Sequence, residues 1–287
     1  AFRVITQPAL NTEILTPPKS VFSVLVTEHD VLNPEVIRTI VNGDMLYRAR
    51  HTRDRMQAQE IVRNPARELG ATPRHLASSQ RMTPNGISAL YCALERETCL
   101  SEIRAITGDH VISAALTPIR ELKLLDLTVL DRVKPPALTL LDPGYRDALH
   151  RKAFLGELVK KMSRPKARND ELSYLATQVV FEYLRLRFSG QVDGLVFPSV
   201  QTGEAGTNVV LFPEASRLAF EPPVREGADL EDDEDVQVAV PAMQNDLFEP
   251  DTKLAVVAGS IRFHKVTAIE TRAKEYRHIT DLFMSDL

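Results

Sequence analysis

Two hydrophobic periods alternate along the chain. Short apolar runs with period-2 character, rich in Val, Ile, Leu and aromatic residues, predict strands at 21–26 (VFSVLV), 44–50 (DMLYRAR), 87–94 (ISALYCAL), 193–200 (DGLVFPSV) and 207–212 (TNVVLF). Two more strands are expected within 110–129, and two closing strands within 254–270 around Ala258-Gly259-Ser260. Helical spacing marks other segments. Asn33 before Pro34 is a side-chain cap followed by a proline at the first helical position, which predicts a helix over PEVIRTIV ending at Gly43. Residues 96–106 place Cys99, Leu100, Ile103 and Ile106 on one apolar face. After the Asp142-Pro143-Gly144 turn a helix is expected over about 145–162, with Ala148, Phe154, Leu155, Leu158 and Val159 inward. The strongest helical segment is 171–188, whose stripe is Leu172, Leu175, Ala176, Val179, Val180, Tyr183 and Leu184. A last helix is expected over 272–284. Residues 51–80 are polar, mixed in sign and without a period, so they read as a loop with at most a short helix.

Strands and helices interleaved in this way predict a mixed α/β fold with no internal repeat and no clean linker between domains. The 287 residues are enough for a substantial core. A net charge of −4 argues against general nucleic-acid binding. The acidic run at 227–237 reads as a solvated loop. Cys92 and Cys99, without a CxxC, read as buried thiols of a reducing cytoplasm. No stretch has the apolar length of a membrane helix, and the start lacks a signal-peptide layout. It also lacks an initiator Met, which leaves room for a missing N-terminal segment.

No glycine fingerprint of a Rossmann or P-loop site is present, Ser199 does not lie in a G-x-S-x-G elbow, and the scattered histidines predict no metal. The candidate chemistry lies in two blocks, 81–104 and 193–212. The first offers Arg81, Tyr91 and Glu102; the second offers Ser199 and Asn208. A guanidinium can grip phosphate oxygens with two parallel bonds. A tyrosine ring can stack on a flat heterocycle while its hydroxyl meets water or ribose. A carboxylate can hydrogen-bond a ribose hydroxyl or stabilise an oxocarbenium-like anomeric carbon. Taken singly, each of the five is more often an ordinary surface, packing or turn residue.

Their joint pattern resembles the RES domain family. RMTPNGISALYCA followed by ETCLSEIR is similar to its Arg–Tyr–Glu signature, and DGLVFPS followed by GTNVVLF to its Ser–Asn block. YRAR (47–50) resembles its opening strand, with Arg48 as the arginine, and Tyr174–Gln178 resembles its linking helix. The likeness runs from about Leu46 to Phe212. Met82 stands where many members carry an aromatic, and the insertion 51–80 separates Arg48 from Arg81 more widely than usual.

The resemblance implies an ADP-ribosyltransferase-like fold, a split β-structure flanked by helices with an NAD cleft. It implies a 44–287 catalytic domain, with an acidic loop near 226–250, preceded by a 1–43 extension. Family members are bacterial toxins of toxin–antitoxin pairs that consume NAD by phosphorolysis or by ADP-ribosyl transfer. By that likeness, Arg48 and Arg81 contact NAD phosphate or ribose, Tyr91 lies at the nicotinamide end, Glu102 is the catalytic carboxylate, and Ser199 and Asn208 complete the pocket. The expectation is therefore an NAD phosphorylase or glycohydrolase, a toxin or defence effector with an inhibitory antitoxin partner. A protein-modifying ADP-ribosyltransferase with a protein acceptor, and a silent binding module, are the alternatives.

Overall fold

The computed structural model describes residues 25–26, 31–132, 141–142, 145–163, 174–203, 205–219 and 252–268. Nine strands are present: β1 (Ile37–Ile40), β2 (Leu46–Thr52), β3 (Leu90–Ala93), β4 (His110–Pro118), β5 (Leu122–Asp126), β6 (Gly194–Ser199), β7 (Gly206–Leu211), β8 (Leu254–Val256) and β9 (Arg262–Lys265). Five α-helices accompany them: α1 (Arg55–Arg63), α2 (Pro65–Glu68), α3 (Arg96–Glu102), α4 (Tyr145–Ser163) and α5 (Leu175–Arg187). The strands form one sheet in the order β1-β5-β6-β7-β3-β2-β4-β8, with β9 also pairing β4. All neighbours are antiparallel except β5 and β6. That parallel pair needs a long crossover, and α4 and α5 lie within it.

Both faces of the sheet are covered. Along β6 and β7 successive side chains enter different cores: Leu195, Phe197, Val210 and Phe212 join α4 and α5 in one. Val196, Val209 and Leu211 join Ile61 and Leu69 in the other. This explains why the segment reads as an unbroken apolar run. Helix α5 is seated by Phe181, fully buried and edge-on to Phe212 with centroids 5.2 Å apart.

The expected split of the β-structure takes the form of a near-parting within one sheet. Strands β2 and β4 pair over seven residues, from Leu46↔Leu116 to Thr52↔His110. Strands β2 and β3 meet at one pair alone, Tyr47↔Ala93. Beyond it the two strands diverge.

Several elements differ from expectation. Asn33 does cap a turn, its Oδ1 accepting from the Glu35 amide at 3.1 Å, but that turn is a 3-10 helix of three residues, Pro34–Val36. The chain then becomes β1, because Ile37, Thr39 and Ile40 suit a pleated strand and pair with β5 from Ile37↔Leu125 to Ile40↔Leu122. The α5 stripe is rotated: Leu175 and Val179 are exposed, while Thr177, Gln178, Phe181 and Leu184 are buried. On α4, Phe154 is exposed, whereas Ala148, Leu155 and Leu158 are buried as expected. Helix α3 stops at Glu102 and leaves Ile106 exposed. Residues 51–80 hold α1 and α2, with Asp54 capping α1 through the Gln57 amide at 2.8 Å. Of the first expected strand only Leu25 and Val26 are described, and Val26 makes an isolated bridge to Leu32. The acidic run, Leu172 and the helix at 272–284 lie outside the described residues.

Phe181→Ala is expected to lower unfolding free energy by about 3–5 kcal/mol, since it empties a large fully buried site. A urea titration checks this; a loss below about 1 kcal/mol would mean that α5 is not held through this ring.

Candidate active site

The sheet's parting opens a cleft of about 460 Å3, within the range of small-molecule sites. Arg48, Arg81, Tyr91, Glu102 and Asn208 line it, five of the six candidate residues. Ser199 is fully buried and reaches the site indirectly, through Glu102.

Glu102 is the last residue of α3. Its Oε1 accepts from Ser199 Oγ at 2.6 Å and from Asn208 Nδ2 at 2.7 Å. Ser199 ends β6, and Asn208 lies opposite Phe197 in the β6–β7 register, so the two donors stand on adjacent strands. They hold one oxygen of the carboxylate. Among the described residues Oε2 accepts no hydrogen bond and is available to the cleft. The resemblance implies that Ser199 and Asn208 complete the pocket; the geometry has them orienting the carboxylate.

Helix α3 is itself fixed along its length. At its start Glu95 Oε2 accepts from Thr98 Oγ1 at 2.9 Å and from the Thr207 amide at 2.8 Å. In the middle, Thr98 rests against Gly206, where a Cβ would come within 2.1 Å of Thr98 Oγ1. Only hydrogen at that position lets the helix lie this close to β7. After Glu102 the chain turns at Arg104, whose φ of 51° is the only left-handed non-glycine backbone among the described residues.

Arg48 and Arg81 differ in how they are held. Arg48, half-buried, gives Nε to Leu69 O at 3.1 Å and Nη1 to Tyr91 O at 2.5 Å. Burial lowers its pKa, yet an arginine remains charged. The insertion 51–80 thus has a structural use, since it supplies the Leu69 carbonyl. Arg81 lies over the Phe197 ring at 5.9 Å and makes no side-chain hydrogen bond or ion pair among the described residues. Its loop is clamped by α5: Thr177 Oγ1 donates to Arg81 O at 2.6 Å, and Gln178 Nε2 donates to Ser79 Oγ at 2.9 Å and Gln80 O at 2.8 Å.

Tyr91 presents its ring to the cleft, but its hydroxyl is already engaged. It accepts from the Met82 amide at 3.2 Å and bonds the Thr83 hydroxyl at 3.2 Å. Burial raises its pKa, so the phenol stays protonated. Met82 is fully buried in the core rather than facing the cleft. Cys92 and Cys99 also line the cleft, and burial pushes both thiols up to about 12, which leaves no thiolate nucleophile there at neutral pH. No group of three or more His, Cys, Asp or Glu suited to a metal is found among the described residues.

The RES domain model matches residues 45–235, about two thirds of the chain, and the span includes every residue of the cleft described above. The chain belongs to the RES domain family. No curated protein matches it. Membership in the family is consistent with an NAD-related enzyme. No helix of the RES chain, among the described residues, is long and apolar enough to cross a membrane.

Phe197, Thr177, Gln178, Gly206 and Arg104 were not singled out as site residues from the sequence. Phe197 was within reach of a period-2 argument, two residues before Ser199 on the same strand face. Gly206 and Gln178 carried no such signal, because their roles exist only once α3 and α5 are docked.

Gly206→Ala is expected to cost about 1–3 kcal/mol by overpacking against α3. Adding Thr98→Ala removes the nearest obstructing atoms and should recover part of that loss. Thermal unfolding of the single and double variants checks the coupling; strictly additive losses would disprove the contact's importance.

Proposed function

We propose that this RES domain cleaves the nicotinamide–ribose bond of NAD. The observation that carries the reading is the Glu102 carboxylate, with Oε1 fixed by Ser199 and Asn208 and Oε2 left open in a cleft that Arg48 and Arg81 also line. Arg81, charged and unpaired among the described residues, suits a pyrophosphate oxygen. Arg48 supports the cleft through backbone carbonyls and has further N–H donors for the same ligand. The Tyr91 ring offers flat surface for a heterocycle, and the buried Phe197 ring backs Arg81.

The chemistry suits this set. As the glycosidic C–N bond lengthens, its electron pair passes to the pyridinium nitrogen, so nicotinamide leaves neutral and needs no proton. Positive charge grows on the anomeric carbon and ring oxygen. A carboxylate held by two hydrogen bonds stabilises that charge without reorganising. Water, phosphate or a protein side chain then takes the ADP-ribosyl group. On this reading the protein is a bacterial NAD-consuming effector of the toxin type, held in check by an inhibitory partner.

Incubation with NAD, with and without phosphate, followed by mass spectrometry is the direct test. Free nicotinamide with ADP-ribose or its phosphate supports the reading; an etheno-NAD label retained on protein would instead favour ADP-ribosyl transfer. A folded protein that leaves NAD untouched in every condition would falsify it. Glu102→Gln keeps the acceptor oxygen for Ser199 and Asn208 but removes the charge, so nicotinamide release should fall by about 100-fold or more with a small change in KM. Gln178→Leu releases the Arg81 loop and should raise KM for NAD roughly tenfold with a smaller effect on kcat. A fall confined to kcat would overturn the positioning role of Gln178.

A further inference from the structure

Helix α3 is held to the β6–β7 half of the sheet through Glu95, Thr98 and Glu102. Its first residue, Arg96, reaches the opposite way. Arg96 Nη1 donates to Ser113 Oγ on β4 at 2.5 Å, and Nη2 donates to Ser260 O, between β8 and β9, at 3.1 Å. The guanidinium also lies over the Tyr47 ring on β2, 4.8 Å from its centroid. None of these residues lines the cleft. All of the partners belong to the β2–β4–β9 side of the parting, so α3 bridges the two halves and Arg96 anchors its start to the half that carries Arg48.

Ser113 is fully buried, and its hydroxyl has a second partner, His264 Nε2 on β9, at 2.8 Å. An arginine only donates, so Ser113 Oγ accepts from Arg96 and its own proton needs an acceptor. Among the described residues His264 Nε2 is the acceptor within reach, which assigns a neutral ring with its proton on Nδ1. A protonated ring has no lone pair to offer. Two cations would then donate to one buried oxygen, and the hydroxyl proton would lose its partner. Resting on the reading that Glu102 cleaves NAD, we propose that Arg96 is a positioning residue for Glu102 and that the Ser113–His264 pair makes its hold proton-sensitive, so that mild acid loosens α3 and slows cleavage.

The surrounding charges act in the same direction. Burial, then Arg96 on α3 and Arg262 on β9, hold the His264 pKa below its ordinary value of 6.5. Lys265 is exposed opposite His110 at the start of β4, and β8 brings only apolar residues. On β2, His51 faces Asp109 at 3.5 Å and Ile103 O at 3.2 Å. The Glu95 carboxylate is engaged by Thr98 and the Thr207 amide. No carboxylate among the described residues makes an ion pair with Arg96, Arg262 or His264. The ring is half-buried, so solvent protons reach it. Because its pKa is lower when docked, the undocked arm binds the proton more tightly. The contribution is whole above about pH 6.5 and is lost as pH falls through that value toward the lowered one.

The test follows amide hydrogen exchange of residues 96–103 in the full chain, corrected for the intrinsic effect of pH. Wild-type protection should fall about tenfold between about pH 7.5 and about pH 5.5. His264→Gln offers an amide oxygen to the Ser113 hydroxyl and takes up no proton, so its protection should hold at the neutral wild-type level throughout. Ser113→Ala removes the shared hydroxyl and should lower protection at neutral pH while flattening the profile. A flat wild-type profile, or the wild-type slope in either variant, overturns the proposal. Nicotinamide release from NAD over the same range tests the link to Glu102. The kcat of wild type should fall about tenfold while that of His264→Gln holds, with little change in KM. Arg96→Lys keeps a charge but not the fork between Ser113 and Ser260, and its kcat should be low already at neutral pH. An equal acid loss of kcat in wild type and His264→Gln overturns the positioning role and leaves NAD cleavage standing. If NAD is untouched at every pH, the reading of the cleft fails, and the exchange profiles still support or sink the proton-sensitive anchor.

Discussion

A sheet that parts between two of its strands exposes backbone groups that need partners, and Arg48 supplies them here. Strands β2 and β3 share one residue pair, so Tyr91 has no register partner on β2 and its carbonyl accepts from Arg48 instead. The Arg48 guanidinium takes that carbonyl and the Leu69 carbonyl together. A buried carbonyl without a partner costs free energy comparable to a lost hydrogen bond. The side chain therefore does for the opened ladder what a strand would do in a closed one. Because the guanidinium carries more donors than it spends, the brace leaves a cation at the cleft wall. Stability and ligand recognition are joined in the same residue, which is why its charge, partly desolvated, is tolerated there.

The opened ladder gives the carboxylate its setting. Glu102 comes from a helix of seven residues, too short to be stable by itself. Its position is set by tertiary contacts at both ends and in the middle: Glu95 with the Thr207 amide, Thr98 with Gly206, and Glu102 with Ser199 and Asn208. Strands β6 and β7 provide almost all of these partners. The rigid β6–β7 ladder, paired from Gly194↔Leu211 to Ser199↔Gly206, thus serves as the reference frame for the reactive group. Both hydrogen bonds converge on one oxygen. That asymmetry orients the free oxygen and denies the carboxylate the rotation that would exchange the two.

What the sequence made legible was set by how local each cause was. Strands β2 through β7 were readable because their patterns are local: polar–apolar alternation in β2 and near-continuous apolar runs in β6 and β7. The grouping of Arg81, Tyr91, Glu102, Ser199 and Asn208 was readable only from their joint pattern, since each alone is ordinary, and the cleft does bring four of them and Arg48 to its walls. The failures share a cause. The segment after Asn33 begins as a helix by every local signal, yet β5 has an edge to fill, and pairing with it outweighs a cap worth about 1 kcal/mol. The buried face of α5 departs from the apolar stripe because Thr177 and Gln178 are polar, and only the docked 79–83 loop gives their burial a purpose. A buried amide with three partners looks, in sequence, like a solvent-facing one.

The same reasoning explains why the aromatic expected at position 82 is dispensable. Met82 is fully buried, and it is its backbone amide, not its side chain, that meets the cleft by donating to the Tyr91 hydroxyl. Any residue but proline supplies that amide. The side chain needs only to fill the core near Leu195 and Phe197, a task for which a flexible apolar residue is well suited. Ring surface in the cleft comes instead from Tyr91, whose hydroxyl is tied down by the Met82 amide and the Thr83 side chain, while Phe197 is buried beneath Arg81. The loop that carries Arg81 is thereby held from two directions, by Tyr91 on β3 and by Gln178 on α5. A cation so mounted can meet an anion without first losing the freedom of a surface arginine, and its placement depends on the two helical and strand elements that the chain needs anyway to close its core.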